Sequence, residues 1–283
     1  MAKSQHLPLN SQSRGIVEKL GNVIVAGLMG PFPISFNKRL YAMLVQDHYS
    51  SLVTIYPLQS KSEAGGCLID WIKKFNNLTP YNVKRVRTDN AGEFLSHSLR
   101  RFFEDSGITH ETIIPYEHHQ AGKVEWTNRT IAEAARSMLI DSGVDVSLWP
   151  YAFRQAVWVF NRVTHGTAIK TPYELVTTRK PLLGMLQVFG CKAYVHILTH
   201  RKDLSPKAKE VIHLGIAEDS KGWIFWDALS KQVIRSALVV FDENGMGTTS
   251  NPSAHSIEIN NLFDLTMLNE LGYQDEVLKV AAQ

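Results

Sequence analysis

The hydrophobic period of this chain changes near residue 60, and few folds accommodate such a change. Before it, three apolar runs follow one another across brief turns: Val23 to Met29, Tyr41 to Val45 and Leu52 to Leu58. They are short and rich in β-branched and aromatic residues, which predicts three strands in an antiparallel meander. Gly30-Pro31-Phe32-Pro33 and His48-Tyr49-Ser50-Ser51 punctuate them. After residue 60, helical and strand patterns alternate. Ser62 to Asn76 spaces Leu68, Ile69, Ile72 and Phe75 as a helix, weakened in its first turn by Gly65 and Gly66. Val83 to Thr88 reads as a strand, Phe94 to Gly107 as a helix ended by its glycine, and Thr109 to Ile114 as another strand. A meander followed by this alternation predicts an α/β fold with parallel pairing on the far side of the sheet.

The strongest helical pattern runs from Lys123 to Ile140. Val124, Ile131, Ala135, Met138 and Leu139 form an apolar stripe, and Glu125, Arg129, Ala132 and Arg136 share another face. That face carries a carboxylate at its N-terminal end and two guanidinium groups below it, which suits a metal followed by a phosphate backbone. An intrahelical Glu125–Arg129 pair is the plainer alternative. Leu148 to Val163 is a further helix whose aromatics read as core. Thr171 and Pro172 are placed as cap and first residue of a short helical turn. From Val188 to Phe241 the runs Ala193–Ile197, Val211–Ala217, Gly222–Trp226, Gln232–Ile234 and Ala237–Phe241 predict a small β-barrel. Residues 1–15 read as a flexible lead-in, and 244–283 as linker or fragment end.

Composition narrows the function classes. Apolar content of 44% and charged content of 20% are those of an ordinary soluble domain. No stretch approaches the roughly 18 apolar residues of a membrane helix, and the polar N-terminus has no signal core, so neither membrane insertion nor secretion is expected. Cys67 and Cys191 are isolated, which points to a reducing compartment and away from a Cys-based zinc site. The net charge of +3 becomes +7 for residues 1–243 once the tail's five acids and one base are taken from the totals of 27 acids and 30 bases. A basic body suits a polyanion, though on charge alone a merely soluble surface is the favoured reading.

The chemistry concentrates between Val86 and Arg129. Asp89 ends a strand-type run, Glu125 opens the best helix, and 35 residues separate them. A carboxylate on a strand end and one on a helix, brought together by folding, can chelate a divalent metal for phosphoryl transfer.

The run R-T-D-N-A-G-E-F followed by P-Y-E-H-H-Q-A-G-K-V-E-W-T-N-R-T-I resembles the integrase core of copia-type (Pseudoviridae) retrotransposons. G-P-F-P-I-S-F-N, D-H-Y-S-S, K-S-E, L-W-P-Y-A-F and T-P-Y-E-L agree, and V-F-G-C-K-A-Y-V-H-I through S-A-L-V-V-F-D-E resembles the SH3-like module that follows that core. The resemblance implies an RNase H-like core over 16–183 with a five-stranded mixed sheet and flanking helices, then an SH3-like β-barrel over 188–243. It implies three acids that converge on two divalent cations, Mg2+ (or Mn2+), for 3′ processing and strand transfer on DNA. Asp89 and Glu125 correspond to the second and third acids, as catalytic and metal-binding residues. Lys123, Arg129 and Arg136 are the nucleic-acid-binding candidates. DNA is the implied partner, with a homo-oligomer and a nuclear or cytoplasmic location as further expectations.

The sequence departs from the family at the first acid. The D-V-C-G-P-type motif is G-L-M-G-P here, and Gly27 stands where the Asp is expected. Ala91, Ala121 and Trp126 replace a Gly, an Asn and an Arg of the family pattern. Asp47 is the candidate substitute, if a hairpin brings its strand end near the first strand. His118 and His119, read as loop residues before Glu125, are further candidates for phosphate or metal contact. No counterpart of the family's zinc module is seen, so the chain reads as a fragment of a Pol polyprotein, degenerate or co-opted. The expectation is a nucleic-acid-binding domain without strand transfer. An active metal-dependent enzyme and a non-catalytic interaction scaffold are the alternatives.

Overall fold

A computed structural model of the chain describes residues 19–88, 92–112, 118–196, 208–218 and 220–247, with the backbone alone at 118–122. The expected lead-in at 1–15 and the helical tendency of the tail beyond 247 lie outside these residues.

The meander and the alternation build one sheet. Strands β1 (Val23–Met29), β2 (Tyr41–Asp47) and β3 (Val53–Leu58) pair antiparallel. Strands β4 (Arg85–Thr88) and β5 (Thr109–Thr112) join β1 in parallel, which gives the order β3-β2-β1-β4-β5. This five-stranded mixed sheet is the one expected. Helices α1 (Ala64–Leu78) and α2 (His97–Ser106) cover one face. Their Leu68, Trp71, Ile72, Leu99 and Phe103 pack with Ile24, Ala26, Met43 and Val45 of the sheet. Gly65, expected to weaken α1, has a packing role: a Cβ there would reach Ser96 Oγ at 3.4 Å and the Glu93 carbonyl at 3.5 Å. Gly107 ends α2 at φ 63°, the left-handed C-cap that glycine adopts without strain.

The opposite face belongs to α3 (His118–Ser142) and α4 (Trp149–Phe160). The α3 stripe is buried as expected, with Val124, Ile131, Ala135 and Leu139 all inside. Of the aromatics expected in the core of α4, Trp149, Phe153 and Phe160 are buried, and Trp149 Nε1 donates to the Pro33 carbonyl at 2.9 Å. Trp158 is only half-buried and carries the Arg162 guanidinium 3.9 Å above its ring. A short helix α5 (Pro172–Thr177) opens with the expected cap. Glu174 N–H donates to Thr171 Oγ1, and Thr171 N–H donates to the Glu174 carboxylate.

A second sheet follows. Strands β6 (Cys191–His196), β7 (Ala208–Ile216), β8 (Trp223–Asp227), β9 (Gln232–Ser236) and β10 (Val239–Met246) pair antiparallel in the order β10-β6-β7-β8-β9. It has a small core of Ala193, Val195, Val211 and Phe225. Its other face is not free. Ile212, Leu214, Ile224 and Trp226 pack into the same apolar cluster as Ala152, Phe153, Ala156 and Leu139 of α4 and α3. Gly215, at φ 129°, lies so near α4 that a Cβ would sit 3.0 Å from Gln155 Oε1.

Candidate functional site

β1 alternates, so Val23, Val25 and Gly27 point to one face of the sheet. Val23 and Val25 cluster there with Val124 of α3. Gly27 therefore lies beneath the same helix, and Asn128, one turn beyond Val124, is the residue above it. A Cβ on Gly27 would be 3.7 Å from Asn128 Nδ2, with no other heavy atom within 4 Å among the described residues outside its chain neighbours. The Asn128 Oδ1 is buried and has no hydrogen-bond partner among the described residues.

Two polar contacts fix α3 over this face. Gln46 of β2, which pairs with Val25, donates from Nε2 to Thr127 Oγ1 at 3.1 Å. Lys123 Nζ donates to the His48 carbonyl at 2.6 Å. Both residues that flank Glu125 by two are thus tied to the β2 end, which sets the helix register against β1. Glu125 is half-buried, one turn before Asn128. No ion pair joins Glu125 to Arg129 among the described residues, so the plain intrahelical alternative is not adopted.

Asp89 and Ala91 fall outside the described residues. The last described residue of β4, Thr88, pairs in parallel register with Ala26, the neighbour of Gly27. Of the basic candidates, Lys123 and Arg129 are exposed and Arg136 is half-buried. His118 and His119 belong to the first turn of α3 by backbone and not to a loop, while their side chains lie outside the described residues, as does that of Ala121. Trp126 is 42% exposed and packs its ring edge toward His165, 5.8 Å between centroids.

Asp47 is placed as a structural carboxylate. It is fully buried and accepts from the Gly21 N–H at 2.9 Å, the Ser50 N–H at 2.7 Å and the Ser50 hydroxyl at 2.7 Å. It pairs with Ile24 in the β1–β2 ladder. Ile24 and Gly27 differ by three residues, which is about 10 Å along the strand and the opposite face of the sheet. The hairpin does bring Asp47 beside the start of β1, but not to the space left at Gly27.

The donor set decides what metal the site could take. A two-ion centre needs an oxygen ligand that bridges both cations, and at that corner Gly27 offers no side chain. Among the described residues no group of three or more His, Cys, Asp or Glu side chains comes together. Among the described residues, the side chains present do not make a two-metal centre.

Sequence reading missed Asn128 and Gln46. Asn128 stood in the quoted E-W-T-N-R run, three residues after Glu125 and on nearly the same helical face. Its position, and not its type, was the available signal.

Residues 191–255 match the family model of the retroviral polymerase SH3-like domain. Over 239 residues, 82% of this chain, the sequence is 30% identical to a retrovirus-related Pol polyprotein from transposon TNT 1-94 of Nicotiana tabacum, of which it spans 18%. It is 26% identical over 86% of its length to the Pol polyprotein from transposon RE1 of Arabidopsis thaliana, of which it spans 16%. The chain thus spans less than a fifth of the curated relatives named here. Among solved structures it is similar to the HTLV-2 integrase catalytic core domain in complex with magnesium, with 20% identity, 55% of this chain and 96% of that one covered, and a TM-score of 0.42. No helix among the described residues is long and apolar enough to cross a membrane. Over most of its length the chain is thus similar to one stretch of retrotransposon Pol polyproteins, and that stretch carries a match to the retroviral SH3-like domain.

Proposed function

We propose that this protein is an integrase-derived, nucleic-acid-binding domain that has lost strand transfer. One observation carries the reading: the β1 position beneath α3, where the first acid of an integrase-type triad is expected, is Gly27, and among the described residues outside its chain neighbours only Asn128 comes within 4 Å of a Cβ there. Asp89 and Glu125 are the two remaining carboxylates of the proposed site. Two carboxylates would hold at most one divalent cation weakly, and in-line transfer would lack one of the three acids that hold the metal. Asp47 is no substitute, because all its contacts serve the turn at Ser50 and the backbone at Gly21.

Binding survives the loss of chemistry, since it rests on other groups. Lys123, Arg129 and Arg136 recur along α3 from the Glu125 end, and the body of the chain is basic. The division into a core over 16–183 and an SH3-like module over 188–243 is part of this proposal, as are DNA as partner and a nuclear location. The test is duplex-DNA affinity as a function of salt. The expected result is binding whose log Kd rises linearly with log salt. Affinity at low salt no better than that of a neutral control protein overturns the reading and favours a non-catalytic scaffold.

A further inference from the structure

A cleft of about 630 Å³ opens beyond the start of β1, away from Gly27. Four separate segments build it. Lys19 comes from the lead into β1, Tyr49 from the β2–β3 turn, Tyr81 from the α1–β4 connection, and Lys170, Glu174 and Lys180 from around α5. Three ammonium groups therefore meet one carboxylate. That carboxylate is already engaged, because Glu174 accepts the Thr171 N–H at 2.9 Å in its capping box. Both tyrosine rings are 43% exposed. No ion pair involves Lys19, Lys170 or Lys180 among the described residues. Apolar ring faces beside unmatched ammonium groups in a concave site are what a base and its phosphate require together. An acidic peptide would use the ammonium groups and leave both rings idle.

The cleft is also joined to the candidate site. Tyr49 follows His48, whose carbonyl holds Lys123 at the start of α3, two residues before Glu125. Val23 to Gly27 along β1 covers about 13 Å, or roughly four nucleotides at ~3.4 Å each. One strand of modest length can therefore reach from the cleft to the Gly27–Asn128 face.

We propose that this cleft is a second nucleic-acid subsite, which holds a single-stranded segment with phosphates on Lys170 and Lys180 and a base against Tyr49 or Tyr81. The proposal rests on the nucleic-acid-binding reading above. It makes the molecule a two-point binder: the basic face of α3 holds one part of a strand and the cleft holds another.

The experiment is fluorescence anisotropy with the full chain and a labelled oligothymidylate, at several salt concentrations, beside a labelled duplex. The unaltered protein is expected to bind both. The double variant Lys170→Ala, Lys180→Ala is expected to bind the single strand about ten-fold more weakly, with a salt slope shallower by about 1.4 for two phosphate contacts. Tyr81→Ala, or Tyr49→Ala, is expected to weaken single-strand binding about five-fold or more with the slope unchanged, because stacking releases no counterions. Lys73→Ala, Lys74→Ala on the exposed side of α1 removes the same charge elsewhere and is expected to change little. Equal losses from the two double variants, or none from the cleft variants, overturn the subsite while duplex binding keeps the parent reading. Absence of binding to both probes by the unaltered protein overturns the parent reading and the subsite together.

Discussion

A Cβ placed on Gly27 would meet the Asn128 amide nitrogen at 3.7 Å, an ordinary van der Waals distance, so among the described residues the position is open and not filled. In the proposed reading this is the position of the first acid, and no side chain stands there. Gly27 does not have the positive φ that would require glycine. Gly27→Ala is therefore expected to raise stability by about 0.5–1 kcal/mol, because a strand glycine gives up more backbone entropy than alanine does. A shift of the chemical-denaturation midpoint to higher denaturant checks this. Destabilisation beyond about 1 kcal/mol would show that the space is occupied.

The same opening should admit a carboxylate. Gly27→Asp is expected to give a melting temperature that rises with Mn2+, through a cation held between the new acid and its neighbours. The unaltered chain is expected to show little or no rise at the same metal concentration. Equal responses from both proteins would mean that Gly27 is not at the metal position.

Asp47→Ala should damage the fold and leave binding alone. The substitution strands two backbone N–H groups, those of Gly21 and Ser50, together with the Ser50 hydroxyl. The expected cost is about 2–4 kcal/mol. At a temperature where the variant stays folded, its duplex-DNA affinity should match that of the unaltered chain. An Asp47→Ala variant that keeps its stability but binds duplex DNA more weakly would instead mark Asp47 as a functional carboxylate.

What was legible in the sequence followed how local each signal was. β1 occupies Val23–Met29, the run picked out by apolar content alone, because a central strand buried on both faces needs nothing else. Gly27 was legible because a missing carboxylate within a recognisable motif is visible in one residue. The start of α3 was placed five residues late, at Lys123 instead of His118. His-His-Gln-Ala-Gly carries no apolar stripe, and Gly122 reads as a breaker. The role of Asp47 was hidden, since it depends on Gly21, 26 residues away. The docking of the second sheet on α4 was hidden for the same reason. Leu214 and Trp226 look like any strand residues until their outer face meets Phe153. Asp89, the expected partner of Glu125, lies outside the described residues.

That docking has a measurable consequence. Because α4 and the second sheet share one apolar cluster, the two sheets should unfold together. Calorimetry is expected to show a single transition with equal calorimetric and van't Hoff enthalpies. Leu214→Ala, at a residue 1% exposed, is expected to lower stability by about 2–5 kcal/mol and to move that one transition as a whole. Two separable transitions would show that the modules are thermodynamically independent.

Acid should loosen the same region. Burial holds the His213 pKa below its ordinary 6.5. Its Nδ1–H donates to the Val188 carbonyl at 3.0 Å, while its buried Nε2 has no partner among the described residues. A proton added to the ring would carry charge into a buried setting, a cost that the Val188 and Gly215 backbone and Glu243 offset only in part. His48 and His110 are lowered as well, through burial first and neighbouring cations second. For a group whose folded pKa is depressed, the unfolded chain binds the proton first as pH falls. Stability should therefore be full above about pH 7 and decline as pH drops through 6.5 toward the folded values. Melting temperature followed from pH 7.5 to 5.5 checks the decline, and His213→Phe should flatten part of it. A melting temperature that rises on acidification would contradict the assignment.

The proposed loss of strand transfer rests on Gly27, which stands where the first of three carboxylates is expected. A strand-transfer assay tests it most directly, with oligonucleotide 3′ ends, a supercoiled target and either Mg2+ or Mn2+, run on the unaltered chain and on Gly27→Asp. The unaltered chain is expected to give no product above the metal-free background, and Gly27→Asp a metal-dependent gain. Metal-dependent strand transfer by the unaltered chain, undiminished relative to Gly27→Asp, would contradict the proposed loss.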